Sequence, residues 1–278
     1  MFQNRKLLIA TKHGKEQVIA PLVEQALGVS CFVTTKFDTD TLGTFSGEVP
    51  RKEDALSTLR NKCLLALGKN GCELGIANEG SFGAHPSVFF AAADDELMIF
   101  IDLQNEIEIV VREISMNTNF KALSTNNEAE LLAFANEVKF PSHGLIMKPE
   151  ENDYSKIIKG ITTWDDLKQH FQEFLAEFGC VYLETDMRAN FNPTRMQVIE
   201  KATLKLVQAI HSKCPNCQMP GFVVTEALSG LPCSWCHEPT NSTLLYKYTC
   251  KKCDFTNEHY FPHQKTEEDP AYCDFCNP

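Results

Sequence analysis

Four short stretches near the carboxyl end decide how the chain is organised: CPNC (214–217), CSWC (233–236), CKKC (250–253) and CDFC (273–276). Two cysteines separated by two residues place both sulfurs on one tight loop, and two such loops supply the four thiolates of a tetrahedral zinc site. We therefore predict a domain over residues 213–278 that is zinc-ribbon-like and holds two structural zinc sites of four cysteines each. The predicted ligands are Cys214, Cys217, Cys233, Cys236, Cys250, Cys253, Cys273 and Cys276.

The spacing of the four loops leaves their pairing open. Gaps of 15, 13 and 19 residues separate them, which allows two sequential ribbon-like sites or an interleaved, cross-braced pair. The 15- and 19-residue gaps fit the spacing within a ribbon and the 13-residue gap is short for it, so the sequential arrangement is slightly favoured. A disulfide framework is the alternative, but it needs an oxidising compartment. The first residues become charged before the core of a secretion signal can form.

Composition and charge exclude several classes of protein. Apolar residues make up 43% and charged residues 23% of the chain, which are ordinary globular values. The 26 Lys and Arg against 37 Asp and Glu give a net charge of −11, which argues against a nucleic-acid coat or a polybasic membrane binder. Two occupied zinc sites would take this charge to about −15, because each adds four thiolates and one divalent ion. We expect a soluble, cytoplasmic protein with no membrane segment.

Strand and helix patterns alternate before the cysteine-rich tail, so we predict one mixed α/β domain over residues 1–212, a mixed sheet with flanking helices. The residues 97–112 form a hairpin in this prediction, which excludes a purely parallel sheet. A helix over 53–67 is predicted to end at Gly68, and the irregular stretch 139–160 is interpreted as a hinge or an insertion. The other predicted strands are 6–11, 31–35, 74–77, 144–147 and 181–184, and the other helices are 127–138, 163–178 and 193–211.

A first polar cluster follows the first predicted strand, where α/β proteins usually bind ligands. Thr11, Lys12 and Lys15 place a hydroxyl and two ammonium groups at the start of a helix, which suits a phosphate. The cluster is not a Walker loop, because Ile9 stands at the position of its first glycine and Glu16 follows the lysine. A solvated turn is the alternative.

A second cluster follows the predicted strand 74–77 and contains Glu79 and Ser81. A carboxylate between a buried strand and glycines is costly for a plain turn, so we interpret Glu79 as a catalytic or metal-binding residue and Ser81 as a ligand-binding residue. A third cluster surrounds the start of the last helix, where Asp186, Arg188 and Arg195 would clamp a phosphate or a base edge. Helix capping and a surface ion pair are the alternative there.

A fourth group of charged residues lies on a glycine-containing loop. A solvated loop is the slightly favoured interpretation, and a lid or a set of metal ligands is the alternative. Its members are Asp38, Asp40, Glu48 and Arg51.

Over nearly its whole length the chain resembles an uncharacterised bacterial family that is known as a domain of unknown function with a carboxyl-terminal double CxxC zinc module. The resemblance implies no established activity. It is carried by ATKHGKE (10–16), GTFSGEVPR (43–51), GIANEGSFGAHP (75–86), DMRANFNPTRM (186–196) and the closing CDFCNP.

Residues 6–212 are also similar in order to the inosine/xanthosine triphosphate pyrophosphatases, which act on non-canonical nucleotides with Mg²⁺. The turn ATKHGK (10–15) resembles their phosphate-holding A-T-x-N-x-x-K turn, with histidine for asparagine and one residue fewer before the lysine. Lys62 resembles a lysine of their next helix, and Glu79-Gly80-Ser81 resembles their acidic metal turn. Asp186-Met187-Arg188 keeps only the arginine of their serine-histidine-arginine motif. The resemblance implies a nucleotide as ligand, Mg²⁺ as cofactor and ligand-binding roles for these residues.

The residues therefore favour a Mg²⁺-dependent hydrolase of a nucleotide or another phosphate ester. Lys12 and Lys15 would hold the phosphate, Glu79 a metal ion, and Arg188 and Arg195 the distal part of the ligand. The alternative is a non-catalytic protein that binds a small anion and docks a protein partner through its zinc module. RNA is a third alternative, and the acidic tail argues against it.

Overall fold

The computed structural model of the protein describes residues 1–34 and 54–278. This part of the chain divides into two compact units, Met1–Val207 and Gln208–Pro278. The predicted group Asp38, Asp40, Glu48 and Arg51 lies outside the described residues. Among the helices in the described ranges, none has the length and hydropathy that a bilayer crossing requires.

A five-stranded mixed sheet forms the first part of unit 1, with strand order β2-β1-β3-β4-β5. The short, apolar β1 is parallel to both of its neighbours, and β3, β4 and β5 form an antiparallel meander. An apolar strand such as KLLIA suits this position because an inner parallel strand is covered on both faces. The strands are β1 (Lys6–Ala10), β2 (Ser30–Val33), β3 (Leu74–Ala84), β4 (Ala92–Asp102) and β5 (Ile107–Ser115).

Two helices accompany this sheet. Helix α1 (Glu16–Leu27) connects β1 to β2, and α2 (Ala55–Asn70) precedes β3. Asp54 caps α2 by accepting hydrogen bonds from the backbone N–H groups of residues 56 and 57. The helical spacing of Leu59, Cys63 and Leu67 puts these side chains on one face of α2, where they pack into the core with residues of β1, β3 and β4.

A separate four-stranded antiparallel sheet forms the rest of unit 1, with strand order β6-β9-β7-β8. Helices α3 and α4 contribute Phe134, Phe171 and Phe174 to its core. Asn192 caps the last helix, α5, through the backbone N–H of Arg195 at 3.0 Å, which confirms the predicted Asn-Pro start. The elements are β6 (Ala122–Thr125), α3 (Glu128–Glu137), β7 (Leu145–Lys148), β8 (Ile158–Ile161), α4 (Trp164–Phe178), β9 (Val181–Thr185) and α5 (Pro193–His211).

The predicted α/β class and the hairpin of β4 and β5 are confirmed, and three local predictions are wrong. The strand expected to end at Ala77 continues to Ala84, because β4 pairs with all of this stretch. The region 139–160 is not a hinge or an insertion, since it supplies β7 and the start of β8. Gly68 lies inside α2, and Gly71, with φ of 58°, is the left-handed C-cap.

Unit 2 is built on a small antiparallel sheet of three strands in sequential order, β10 (Val224–Ser229), β11 (Thr243–Thr249) and β12 (Thr256–Tyr260). The segments that carry the cysteine pairs lie before, between and after these strands. The sheet therefore determines which pairs meet.

Candidate functional site

The eight cysteines of the CxxC pairs form two groups of four, and the sulfur atoms within each group all lie within 4.8 Å of one another. The first and third pairs make tetrad 1, and the second and fourth pairs make tetrad 2. The interleaved arrangement is therefore present, and the slightly favoured sequential arrangement is wrong. Tetrad 1 is Cys214, Cys217, Cys250 and Cys253, and tetrad 2 is Cys233, Cys236, Cys273 and Cys276.

Strand pairing explains this arrangement, which gap lengths alone do not reveal. Val224 near the start of β10 lies opposite Tyr248 near the end of β11. This hairpin therefore brings the cysteine pair before β10 next to the cysteine pair after β11. Tyr260 at the end of β12 lies opposite Leu245 near the start of β11. The fourth cysteine pair, which follows β12, is thus brought next to the second cysteine pair, which lies between β10 and β11.

The sulfur positions fit a tetrahedral metal ion. Four sulfurs placed tetrahedrally about 2.3 Å from one zinc lie about 3.8 Å apart, whereas a disulfide requires about 2.05 Å. Within each tetrad, sulfur atoms from its two different loops are separated by 3.6 to 3.8 Å. The two tetrads are therefore suited to binding metal ions such as zinc.

Local hydrogen bonds lower the pKa of one thiol in each tetrad towards the thiolate form that a metal ion needs, whereas the hydrogen bond with Cys236 raises the pKa of Cys276 to about 12. The side-chain amide of Asn216 lies 3.5 Å from the sulfur of Cys253 and lowers the pKa of that thiol to about 6. In tetrad 2 the backbone N–H of Cys236, followed by that of Trp235, lowers the pKa of Cys233 to about 7. Each tetrad thus contains a sulfur that readily loses its proton near neutral pH.

Two buried lysines of unit 1 meet at one carbonyl oxygen. The Nζ of Lys62 donates to the backbone oxygen of Asn78 at 3.0 Å, and the Nζ of Lys15 lies 3.5 Å from the same oxygen. Lys15 also donates to Asn78 Oδ1 at 2.8 Å. Strand β1 ends at Ala10, opposite Ala77, so both ammonium groups lie where β1 has ended and β3 continues.

A left-handed turn and the buried face of a helix bring the two lysines to this position. His13 and Gly14 have φ values of 65° and 75° and reverse the chain after β1, which puts Lys15 at the N-cap of α1. Gly14 also lies close to the segment before α5, because a Cβ on it would be 3.8 Å from Asn190 Cβ. Lys62 shares the buried face of α2 with Cys63.

Carboxylates and an arginine extend the cluster. Glu79 Oε2 pairs with Lys62 Nζ at 3.2 Å, and Asn78 Nδ2 donates to Glu96 Oε2 at 2.9 Å. The other oxygen of Glu96 accepts a hydrogen bond from Arg195 Nε at 2.7 Å, with both side chains fully buried. We call this set the lysine network; its members are Lys15, Lys62, Asn78, Glu79, Glu96 and Arg195.

Gly80 allows the arginine to approach the sheet. It lies opposite Glu96 in the β3–β4 register, and a Cβ on Gly80 would be 2.5 Å from Arg195 Nη2 and 2.6 Å from Glu96 Oε1. Arg195 also donates from Nη1 to the backbone oxygen of Met187 at 2.5 Å. The guanidinium therefore ties β4 to the segment before α5.

Burial shifts the ionisation of several groups. It lowers the pKa of Lys15 to about 7, with the positive charges of Arg195 and Lys62 acting in the same direction. Burial also opposes ionisation of Glu96, but Arg195 and Lys15 outweigh it and lower the pKa of this carboxyl. Beside them, burial and then the charge of Glu96 raise the pKa of Asp94 to about 8. Neither oxygen of Asp94 accepts a hydrogen bond from the described residues.

The structure places the remaining predicted residues differently. Thr11 is buried and its hydroxyl donates to the backbone oxygen of Lys12 at 2.9 Å. Glu79 and Ser81 lie in the middle of β3, so their predicted position at a strand end is wrong. They line a cavity of about 260 Å³ together with Asp95 and Arg112.

Asp186 and Arg188 form a close pair in the segment before α5, beside Gly160 of β8. Arg188 donates from Nε at 2.9 Å and from Nη2 at 2.5 Å to the two oxygens of Asp186, and its guanidinium lies 4.4 Å from the ring centre of Phe191. Asp186 also accepts the backbone N–H of Gly160 at 3.1 Å. The structure thus brings Lys15, Lys62, Glu79 and Arg195 into one network, whereas Arg188 is paired with Asp186.

Two residues of this region, Asp94 and Glu96, were missed as candidates from sequence, whereas Asn78 belongs to the second predicted cluster. The available signal was the run Asp94-Asp95-Glu96 directly before the apolar residues 97–101. Three carboxylates entering a buried strand are costly unless they are paired. The pairing itself depends on residues about 100 positions away.

The chain belongs to the family described as "Domain of unknown function (DUF6671)", which matches residues 62–278. The prediction of an uncharacterised family is thereby confirmed. The matched region contains both tetrads and every member of the lysine network except Lys15. No curated protein matches the chain significantly, and the similarity to nucleotide pyrophosphatases stays a prediction.

Proposed function

We propose that unit 1 is a metal-dependent hydrolase of a nucleotide or another phosphate ester and that zinc occupies both tetrads. The convergence of Lys15 and Lys62 on the backbone oxygen of Asn78, next to Glu79, carries the first proposal. Lysines from a turn and from a helix meet there at the carboxyl end of a parallel strand, the place where α/β proteins bind ligands.

The charge of the lysine network favours an anion. Among the described residues it contains two lysines, one arginine and two carboxylates. At pH 7 the neighbouring Asp94, with a pKa of about 8, is mostly neutral and Lys15, with a pKa of about 7, is only partly protonated. In this state Lys15 donates to neutral amide oxygens of Asn78, which are weaker acceptors than phosphate oxygens. Lys62 is shared between the backbone oxygen of Asn78 and the carboxylate of Glu79. A phosphate at Asn78 would supply the missing negative charge and return the pKa of Lys15 towards that of an ordinary lysine.

Glu79 is the residue that would hold a divalent ion. Mg²⁺ usually takes one or two protein carboxylates and completes its shell with water and phosphate oxygens, so a single carboxylate beside the phosphate position fits it. When bound, the ion would supply a nucleophilic water and polarise the phosphoryl group. Lys62 would leave Glu79 for the phosphate, and both lysines would neutralise the charge that develops on its oxygens.

The other predicted residues have supporting roles in this proposal. Thr11 and Lys12 belong to the turn beside the phosphate position, and Ser81 lines the cavity next to Glu79. Asp186 orients Arg188 towards the distal part of the ligand, and Arg195 fixes the segment that carries both. The similarity of the turn ATKHGK (10–15) to the phosphate turn of nucleotide pyrophosphatases supports a nucleotide as the ligand.

The test is a hydrolysis assay on the full-length protein. Canonical and non-canonical nucleoside triphosphates, supplied with Mg²⁺ or Mn²⁺, should release phosphate or pyrophosphate and raise the melting temperature. Lys62→Met should lower kcat/KM by about 100-fold or more, and Lys69→Met, an exposed lysine of the same helix, should not. The proposal fails if no nucleotide turns over and none shifts the melting temperature.

A non-catalytic anion-binding protein is the second candidate, because Glu79 is already paired with Lys62 at 3.2 Å. In that case a nucleotide should shift the melting temperature without turnover. Glu79→Gln should then leave the nucleotide affinity unchanged.

Zinc is proposed as the metal because four cysteine thiolates in tetrahedral positions are its usual structural ligands. Metal analysis of the purified protein should give two zinc ions per chain. A stoichiometry near zero together with an intact unit 2 would contradict this assignment.

A further inference from the structure

Tetrad 2 is surrounded by exposed aromatic side chains. Trp235 is the third residue of CSWC and Phe275 the third residue of CDFC, so both flank the same four sulfurs. Their exposed fractions are 76% and 67%, and that of the nearby Tyr272 is 70%. We call Trp235, Tyr272 and Phe275 the aromatic face.

Tetrad 1 provides a contrast within the same unit. The equivalent loop positions hold the polar residues Asn216 and Lys252. Aromatic residues near tetrad 1 pack inward, with the ring of Phe222 5.6 Å from that of Tyr248 and 5.9 Å from that of Phe255. The interior of the unit is therefore filled by other aromatic residues, and the aromatic face is left for contact with another molecule.

The charge of the surrounding residues also differs between the two tetrads. The segments 231–239 and 265–278 around tetrad 2 contain five carboxylates and one lysine, and a bound metal with four thiolates adds two negative charges. Of the five, Glu238, Glu267, Asp269 and Asp274 are exposed. The segments 213–220 and 247–255 around tetrad 1 contain one carboxylate, Asp254, and four lysines, Lys213, Lys247, Lys251 and Lys252. One of these lysines, Lys247, lies 3.7 Å from Glu226 of the neighbouring strand.

We propose that the aromatic face docks a basic, partly apolar peptide segment of another protein. A lysine or arginine of the partner would lie over the indole of Trp235 as a cation–π contact, and Glu238 and Asp274 would pair with further basic side chains. Apolar side chains of the partner would cover Phe275 and Tyr272, because exposed aromatic residues are typical anchors of interfaces. The proposal needs metal in tetrad 2 and does not depend on hydrolysis in unit 1.

The probe is a synthetic peptide of about twelve residues that alternates lysine and leucine, and the control is the same peptide with glutamate in place of lysine. The chain has two tryptophans, so Trp164→Phe leaves Trp235 as the only indole. We expect saturable binding of the lysine peptide to this variant of the full-length protein, with a blue shift of the fluorescence. The affinity should fall as salt is added, and the glutamate peptide should not bind.

Variants measured by calorimetry locate the contact. Trp235→Ala should weaken binding of the lysine peptide by about tenfold or more, and Glu238→Gln with Asp274→Asn should weaken it at low salt. Lys252→Ala, at the matched position of tetrad 1, should leave the affinity unchanged. Trp235→Phe should retain part of the affinity. This variant serves as the test if Trp235→Ala loses zinc, and the zinc content of each variant is measured.

Three results would overturn the proposal. Equal binding of both peptides would show an unspecific apolar patch, and tighter binding of single-stranded RNA than of the lysine peptide would show a nucleic-acid surface. Self-association that Trp235→Ala abolishes, without peptide binding, would assign the face to a second copy of this chain. Nucleotide turnover is measured on the same variants and should stay unchanged, so failure here is distinguishable from failure of the hydrolase proposal.

Discussion

Arg195 and Glu96 form an ion pair of 2.7 Å in which neither side chain has any exposed surface. The pair joins β4 to the start of α5 across 99 positions of sequence. Two charges inside a protein are tolerated only when each satisfies the other, because their hydration is lost. Here Asn78 and the backbone oxygen of Met187 supply further hydrogen bonds, and the pair thereby fixes the geometry of the lysine network.

Arg195→Met should lower the free energy of unfolding by about 3–5 kcal/mol, since it leaves Glu96 buried without its partner. The more accessible pair of Arg112 and Asp95, whose side chains are 52% and 19% exposed on neighbouring strands of the same sheet, offers a matched control, and Arg112→Met should cost about 0–1 kcal/mol. Urea unfolding followed by circular dichroism measures both. Equal costs for the two variants would contradict the role assigned to the buried pair.

Gly80→Ala should destabilise the protein by about 1–3 kcal/mol, because the new methyl group meets Arg195 and Glu96 in a packed interior. Gly83→Ala, three residues later on the same strand, meets nothing within 4 Å and should change stability by less than about 0.5 kcal/mol. Thermal unfolding of the two variants compares them directly. Similar melting temperatures would show that the arginine can move aside.

The local part of the fold was predictable from sequence because its signals are local. Asn192-Pro193 marks a helix start through capping chemistry, and the apolar runs on either side of Gln104-Asn105 mark a hairpin through their spacing. The eight cysteines of the two tetrads followed from the CxxC spacing, which places two sulfurs on one tight loop. In each case the physical cause lies within a few residues of the pattern.

Features that depend on long-range pairing were not predictable in the same way. Residues 78–84 carry glycines and a carboxylate, and only the register with β4 makes them a strand. The pairing of the cysteine loops depends on the return of β12 to β11, which gap lengths do not reveal. Glu96 needs an arginine 99 positions away. A single sequence contains no local signal of any of these contacts.

Asp94→Asn should change how stability depends on pH. The pKa of Asp94 is about 8 in the folded protein and about 3.9 in an unfolded chain, so between these values the folded state holds a proton that the unfolded state lacks. The contribution of Asp94 to stability therefore falls as pH rises from about 4 to 8. Because asparagine resembles the neutral acid, the variant should gain stability relative to wild type with increasing pH over this range. Urea unfolding at pH 5, 6, 7 and 8 measures the difference, and parallel curves would contradict the assignment.

Zinc stoichiometry tests the interleaved tetrads with pairs of serine substitutions. Cys217→Ser with Cys250→Ser removes two ligands of tetrad 1 and should leave about one zinc per chain, since tetrad 2 keeps all four thiolates. Cys217→Ser with Cys233→Ser removes one ligand from each tetrad and should lower the content towards zero. Sequential pairing gives the opposite result, because Cys217 and Cys233 would then share one site and Cys217 and Cys250 would not. Metal analysis of the two double variants, purified side by side, therefore distinguishes the two arrangements.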